Sequence, residues 1–169
     1  FVDLVEEGYD LAIRITRLED SSMIARRLSP FSLKVCASPD LLARVGTPEK
    51  PQDLSRMPCI IDTNGRWLSN WPFMRENGEM FSVPVSGPIE ANSPLTTRAA
   101  AVADLGFAPL PDFIAQPALE SGQLVSVLDE WVPRGGGIFA VYPHRRYLPA
   151  KIRVFVDFLV QWFKQREPA

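Results

Sequence analysis

The sequence predicts an α/β protein, and three observations carry that prediction. Short apolar runs with a two-residue period, such as Leu11–Ile15 and Phe31–Cys36, alternate along the chain with stretches of helical period. Gly and Pro punctuate the changes between them. The last stretch, 150–166, is strongly amphipathic at helical spacing. Strands interleaved with helices along most of a chain argue an α/β architecture.

A chain of 169 residues suffices for one ordinary domain or two small interlocked lobes. Apolar residues make up 46% and charged residues 22%, the profile of a globular protein. The net charge of -2 gives no electrostatic ground for nucleic-acid binding by this chain itself. No segment approaches the roughly 20 uninterrupted apolar residues of a membrane span. The opening residues lack the basic lead of a secretory signal. Cys36 and Cys59 each sit in apolar surroundings without CxxC or Cys/His spacing. They read as reduced, partly buried thiols of a cytosolic protein, with a disulfide as the alternative.

Taken in order, Phe1–Glu7 reads as a short helix stopped by Gly8, feeding a strand at Leu11–Ile15. Such an opening looks cut from a longer βα series. A loop follows at Arg17–Ser22, then a strand at Met23–Leu28. Ser29 and Pro30 predict a break before the strand Phe31–Cys36. Asp40–Val45 reads as a short helix ended by Gly46, and Thr47–Leu54 as an extended connector closing in a helical turn. Cys59–Asp62 is a short strand. Trp67, Trp71 and Phe73 read as the apolar cover of a β ribbon whose second strand is Met80–Val85.

The most informative stretch is Asn92–Asp112, NSPLTTRAAAVADLGFAPLPD. Ser93 is placed to cap a helix, and Pro94 sits at the first helical position, where a missing amide costs nothing. Leu95–Leu105 is alanine-rich, with Gly106 as the expected left-handed stop and Phe107–Leu110 as a buried strand. At the helix start, the hydroxyls of Ser93, Thr96 and Thr97 and the first amides are expected to face one small volume, a seat for a carboxylate or phosphate. From the local sequence alone an ordinary capped surface helix is the favoured reading, since most capped helices bind nothing.

Beyond it, Asp112–Ser121 predicts a helix despite Pro117, with Gly122 as its stop, and Leu124–Leu128 a strand. Pro133–Gly137 is a Gly-rich loop. Neither Lys-Ser nor Lys-Thr follows it, and no helix starts there, so it is not a phosphate-binding P-loop. Ile138–Tyr142 is a strand, and the final helix carries Ile152, Phe155, Val156, Leu159, Trp162 and Phe163 on its apolar face. A catalytic set cannot be assembled. His144 is the only histidine, and there is neither a G-x-S-x-G elbow nor a dinucleotide fingerprint. No catalytic residue, metal or cofactor is predicted.

Five stretches in this order resemble one family: VDLVEEGYDLAIRI, ARRLSPFSLKVCASPDLLARVGTP, LGFAPLPDFI, SGQLVSVLDEW and IFAVYPHRRYLPAKIRVFVDFLVQWF. At these spacings the chain resembles the C-terminal regulatory half of LysR-type transcriptional regulators over nearly its whole length. The resemblance implies a two-lobed fold like the type 2 periplasmic binding proteins, with two crossing hinge strands and a small effector bound between the lobes. It implies a first lobe of residues 1–37 and 141–169 and a second of 38–140, with crossings at Val35–Pro39 and Phe139–Pro143. The effector positions it implies are Asn92, Ser93, Pro94, Leu95 and Thr96 at the helix start, Ser38 on the first crossing, Arg14 at a strand end, and Pro111 with Asp112.

Two departures from the family pattern stand out. The winged helix-turn-helix and linker helix of the family are not in this sequence. The first strand, first helix and second strand of the regulatory half are also expected to be missing, truncating the first lobe and exposing apolar sheet surface. The reading is a cytoplasmic organic-acid sensor of a transcription factor, not an enzyme. It would act as a homodimer or tetramer, without a membrane, and reach DNA only through the helix-turn-helix of the full protein. A solute-binding protein of the same fold serving transport is the alternative, with an enzyme or an interaction module behind it.

Overall fold

The computed structural model describes residues 8–16, 23–64, 67–143 and 149–165. Its elements in chain order are β1 (Ala12–Thr16), β2 (Met23–Phe31), β3 (Leu33–Ala37), α1 (Pro39–Val45), β4 (Pro58–Asp62), β5 (Asn70–Met74), β6 (Met80–Pro84), β7 (Ser86–Ala91), α2 (Pro94–Val102), β8 (Ala108–Pro111), α3 (Asp112–Glu120), β9 (Val125–Val127), β10 (Gly136–Pro143) and α4 (Ala150–Lys164). Short 3-10 segments lie at Pro51–Arg56 and Asp129–Trp131. The helix predicted at Phe1–Glu7, the loop Arg17–Ser22 and His144 fall outside the described residues. The chain forms two compact units, Phe1–Phe31 with Gly135–Ala169, and Ser32–Arg134.

In the first unit β10 is the central strand of an antiparallel sheet, order β1-β10-β2. Its alternation sorts its side chains to two faces. Ile138, Ala140 and Tyr142 pack with Leu28 and with Ile152 and Val156 of α4, while Phe139 and Val141 meet Ala12 and Ala25 on the other face. The break predicted at Ser29–Pro30 does not occur, and β2 continues to Phe31. An edge strand tolerates proline, because one row of its amides has no partner in the sheet. Gly136 and Gly137, predicted as loop, belong to β10, where their missing side chains leave room for the rings of Phe31 and Phe139.

The buried stripe of α4 is narrower than predicted. Ile152 and Val156 are buried and Leu159, Val160 and Phe163 pack partly against them, but Phe155 and Trp162 remain 47% and 39% exposed. Ile13 and Ile15 are also exposed. They stand opposite Ala140 and Ile138 in the register, so they share the sheet face that α4 covers elsewhere.

In the second unit β8-β3-β9 is antiparallel, β4 and β7 are parallel, and β5 and β6 form the predicted hairpin. A parallel bridge between Cys59 and Phe107 joins the first two sheets. Its bonds run from Ile60 N to Phe107 O and from Phe107 N to Pro58 O, both 2.8 Å. One side of the joined sheet packs Val35, Leu41, Leu54, Ile61, Trp71 and Phe73. The other packs Cys36, Ile60, Ala100, Ala101, Leu110 and Leu124. β3, read from sequence as the end of the first lobe, is the middle strand here, paired with β8 and β9. The segment Phe139–Pro143, read as the second crossing, pairs with β2 inside the first unit. By contacts the two units divide at Phe31/Ser32 and Arg134/Gly135.

Two glycines explain how closely the strands approach. A Cβ on Gly87 would lie 1.7 Å from the Cys59 carbonyl oxygen, and one on Gly106 would lie 2.8 Å from that of Pro58. Gly106 is therefore not the helix stop. α2 ends at Val102, and the left-handed residue after it is Asp104, at φ 63°. The helix closes before Leu105 because Gly106 is needed against β4. Cys36 and Cys59 are free and buried, packed in different core clusters. Burial pushes both thiols up to about 12 from an ordinary 9.0, with Asp129 adding to the effect at Cys36 and Lys34 opposing it. Both are protonated at neutral pH.

Two stability experiments follow from this packing. Gly87→Ala drives a methyl group into the β4 backbone and is expected to cost at least about 3 kcal/mol, read as a fall in the denaturant midpoint; an unchanged midpoint would contradict the β4·β7 pairing. Ser38 is 3% exposed and its hydroxyl accepts from Leu41 N at 3.1 Å, capping α1. Ser93 makes no side-chain cap bond to α2. Ser38→Ala should therefore cost about 1 kcal/mol, and Ser93→Ala should stay within about 0.5 kcal/mol.

Candidate functional site

β4 and β7 are parallel in register, Ile60 to Ile89 and Asp62 to Ala91, and Phe107 leads into β8 in the same direction. Their carboxyl ends, at Asp62, Ala91 and Pro111, therefore lie along one edge of the second unit. β3 runs antiparallel to β8, Leu33 opposite Pro111, which brings Ser32 to that edge. In α/β sheets this is the edge where ligands settle, because the loops leaving the strands and the following helix N-termini converge there.

Short bonds fix the loops. Thr63 donates twice to the Ala91 carbonyl, from N at 2.8 Å and from Oγ1 at 3.3 Å. The Asn64 carboxamide donates to the Asn92 carbonyl, and Asn64 N donates to Asp62 Oδ1 at 2.9 Å. Asp112 Oδ2 accepts from Ser32 N at 3.0 Å and Ser32 Oγ at 2.7 Å, and its Oδ1 accepts from Phe113 N at 2.8 Å. The Asp112 carboxylate thus serves to lock β3 to the start of α3. The first helical bond of α2 runs from Thr97 N to Ser93 O at 2.9 Å. Pro94 has no N–H, and the amides of Leu95 and Thr96 precede that bond, so they project from the positive end of the helix.

The predicted positions separate into those at this edge and those elsewhere. Asn92 and Thr96 are exposed, Ser93, Pro94 and Pro111 are half-buried, and Leu95 is 56% exposed; all belong to the carboxyl edge with Asp112. Thr97 does not join the hydroxyls of Ser93 and Thr96. It is fully buried, and its Oγ1 has no hydrogen-bond partner. Successive helical residues are about 100° apart, so Thr97 turns to the core while Thr96 turns out. Ser38 lies at the opposite end of β3. It follows the last residue of β3, and five strand residues carry it about 16 Å from the Leu33 edge, where its hydroxyl caps α1. Arg14 lies on β1 of the other unit, opposite Phe139 in the register.

Sequence reasoning missed Thr63, Asn64 and Ser32. The turn DTNG directly after an apolar strand was a usable signal for the first two. The Ser32–Asp112 contact spans 80 positions and leaves no local trace. Arg98, the cation nearest the start of α2 in sequence, donates to the Ile114 carbonyl at 3.2 Å and ties α2 to α3. Among the described residues no group of three metal-donor side chains occurs, and no helix is long and apolar enough to cross a membrane.

Comparison with known proteins agrees with this architecture. Residues 1–164 match the LysR substrate binding domain. The chain is 36% identical over 151 residues to an HTH-type transcriptional regulator of Haemophilus influenzae, covering 89% of this chain and 52% of that protein. The HTH-type transcriptional activator TtdR of Escherichia coli K12 is 36% identical over 166 residues, covering 98% of this chain and 53% of the activator. The chain spans about half the length of these curated relatives. Among solved structures, the regulatory domain of CrgA, a LysR-type transcriptional regulator from Neisseria meningitidis, is similar with a TM-score of 0.73 at 30% identity, covering 94% of this chain and 78% of that one. The regulatory domain of AphB in Vibrio vulnificus gives a TM-score of 0.76 at 27% identity, over 95% of this chain and 78% of that one. The family consists of regulators that bind small effectors, not of enzymes, and its full-length members reach DNA through a helix-turn-helix. On sequence and fold together, the chain belongs to the LysR substrate-binding domain family, the periplasmic-binding-protein-like α/β regulatory domain of LysR-type transcriptional regulators.

Proposed function

We propose that this chain is the sensing part of a cytoplasmic regulator and that its effector is a small organic acid. The observation that carries the reading is the convergence of three parallel carboxyl ends with the N-terminus of α2 at one edge of the second unit. On this reading Ser93 supplies a hydroxyl that no cap bond engages. The amides of Leu95 and Thr96 face the oxyanion, and Asn64 and Asn92 frame it. Pro94, Pro111 and Asp112 shape the edge rather than bind. Ser38 acts as a helix cap. By family resemblance alone, Arg14 is a candidate partner for an anionic effector.

Binding can alter the output only insofar as it favours one arrangement of the protein over another. The full protein would transmit that preference through a homodimer or tetramer to its DNA-binding domains.

A thermal-shift screen of small organic acids on the full-length protein tests the reading. A ligand at about 100 times its dissociation constant should stabilise the folded state by roughly 2.7 kcal/mol. Ser93→Ala should weaken the response without lowering the stability of the ligand-free protein. Stabilisation by neutral metabolites alone, with acids inert, would contradict the oxyanion reading.

A further inference from the structure

The chain passes between its two units twice, at Phe31/Ser32 and at Arg134/Gly135. The two passages are built differently. At the first, β2 ends at Phe31 and β3 begins at Leu33, so Ser32 alone joins strands of two separate sheets. Three bonds hold that residue to Asp112. Ser32 N and Ser32 Oγ both donate to Asp112 Oδ2, at 3.0 and 2.7 Å, and Asp112 N donates to the Ser32 carbonyl at 3.0 Å. The last of these continues the β3·β8 ladder beyond the Leu33–Pro111 pair. In a complete antiparallel rung the returning bond would go to the Asp112 backbone carbonyl. Asp112 already begins α3, so its carbonyl points along the helix and its carboxylate takes the bond instead. Bonds to a carboxylate are roughly twice as strong as bonds between neutral groups. The second passage, residues 132–135, lies between the 3-10 segment ending at Trp131 and the start of β10. Arg134 and Gly135 are exposed there, and Gly135 takes φ 89°, a region open to glycine without steric cost.

We propose that the Asp112 carboxylate is a hinge latch. It makes Ser32 a fixed part of the second unit, so the first passage turns at the Phe31/Ser32 junction and the 132–135 passage supplies the remaining freedom. Asp112 opens α3 at the carboxyl edge, so the same latch ties that edge to the junction. A displacement at the start of α3 reaches Ser32 through three bonds rather than through a flexible loop, and contiguous bonded groups are what carry coupling between distant places. Asp112 is in this role a positioning residue. The latch holds whichever ligand the edge takes, so it goes beyond the organic-acid reading and does not require it.

The test uses the full-length protein without added ligand. Spin labels at Gln161→Cys on α4 and Glu76→Cys between β5 and β6, both exposed positions, report the spread of distances between the units by pulsed electron resonance. Labelled protein is diluted into unlabelled protein so that single labelled subunits are read, and Cys36 and Cys59 are buried away from the reagent. Asp112→Asn keeps an Oδ1 acceptor for Phe113 N but turns an amide donor toward Ser32, so it breaks the latch and spares the start of α3. It is expected to widen the distance distribution. Hydrogen exchange in the peptide spanning residues 31–35 should quicken roughly tenfold, the scale of one lost bond, with exchange in β4 and β7 unchanged. Ser32→Thr, which retains the hydroxyl, should keep the parental width, and Ser32→Ala should fall between. A parental width in Asp112→Asn would overturn the latch. So would widening accompanied by equally faster exchange throughout the second unit, which would make Asp112 a structural residue only. If Asp112→Asn does not fold, Ser32→Ala carries the same two readings. None of these outcomes touches the oxyanion reading, which the acid screen tests separately.

Discussion

The second unit depends on a backbone held between two glycines. Pro58 and Cys59 of β4 are flanked on one side by Gly87 and on the other by Gly106. At neither position is there room for a side chain. The register irregularity between Pro58 and Ile60 is where Gly87 closes in. This clasp holds β7, β4 and the strand into β8 parallel and level, which is why Asp62, Ala91 and Pro111 end along one line. Cores on both faces then follow from simple alternation, with Ile60 on the α2 side and Ile61 on the hairpin side. The start of α2 and the loops of Thr63 and Asn64 are delivered to one edge as a consequence. The clasp also shortens α2, since the residue that looked like its stop is committed to strand packing.

The polar chemistry of that edge is mostly internal. Asp112 is engaged by Ser32 and by the first amide after it in α3, and Thr63 and Asn64 hold the ends of β7. What these bonds leave is the positive end of α2 with Ser93 beside it. A helix N-terminus of this kind offers fixed dipoles, which demand less reorganisation than a flexible lysine.

Much of the fold was legible in the sequence because it was written locally. The Ser-Pro start of α2, the Gly46 and Gly122 stops and the period of β1, β3 and β8 all translate into the observed elements. What the sequence left unread depends on contacts distant along the chain. Pro30 looked like a breaker until β2 proved to be an edge strand. Gly106 looked like a helix stop until β4 was set against it. Phe155 and Trp162 fit the helical stripe of α4, yet both remain exposed. Of the residues expected at the site, Asn92–Thr96 and Pro111–Asp112 lie along the carboxyl edge of the second unit. Strand direction cannot be read from period, and the antiparallel β3 carries Ser38 to the end away from that edge.

An amide-resolved NMR titration with benzoate, and separately with succinate, tests the central claim most directly. The account predicts that ligand shifts concentrate at Thr63, Asn64, Asn92–Thr96 and Asp112, the carboxyl edge of β4, β7 and β8. Shifts gathered instead at Ser38 and the start of α1, or absent from the edge while a ligand demonstrably binds, would contradict it.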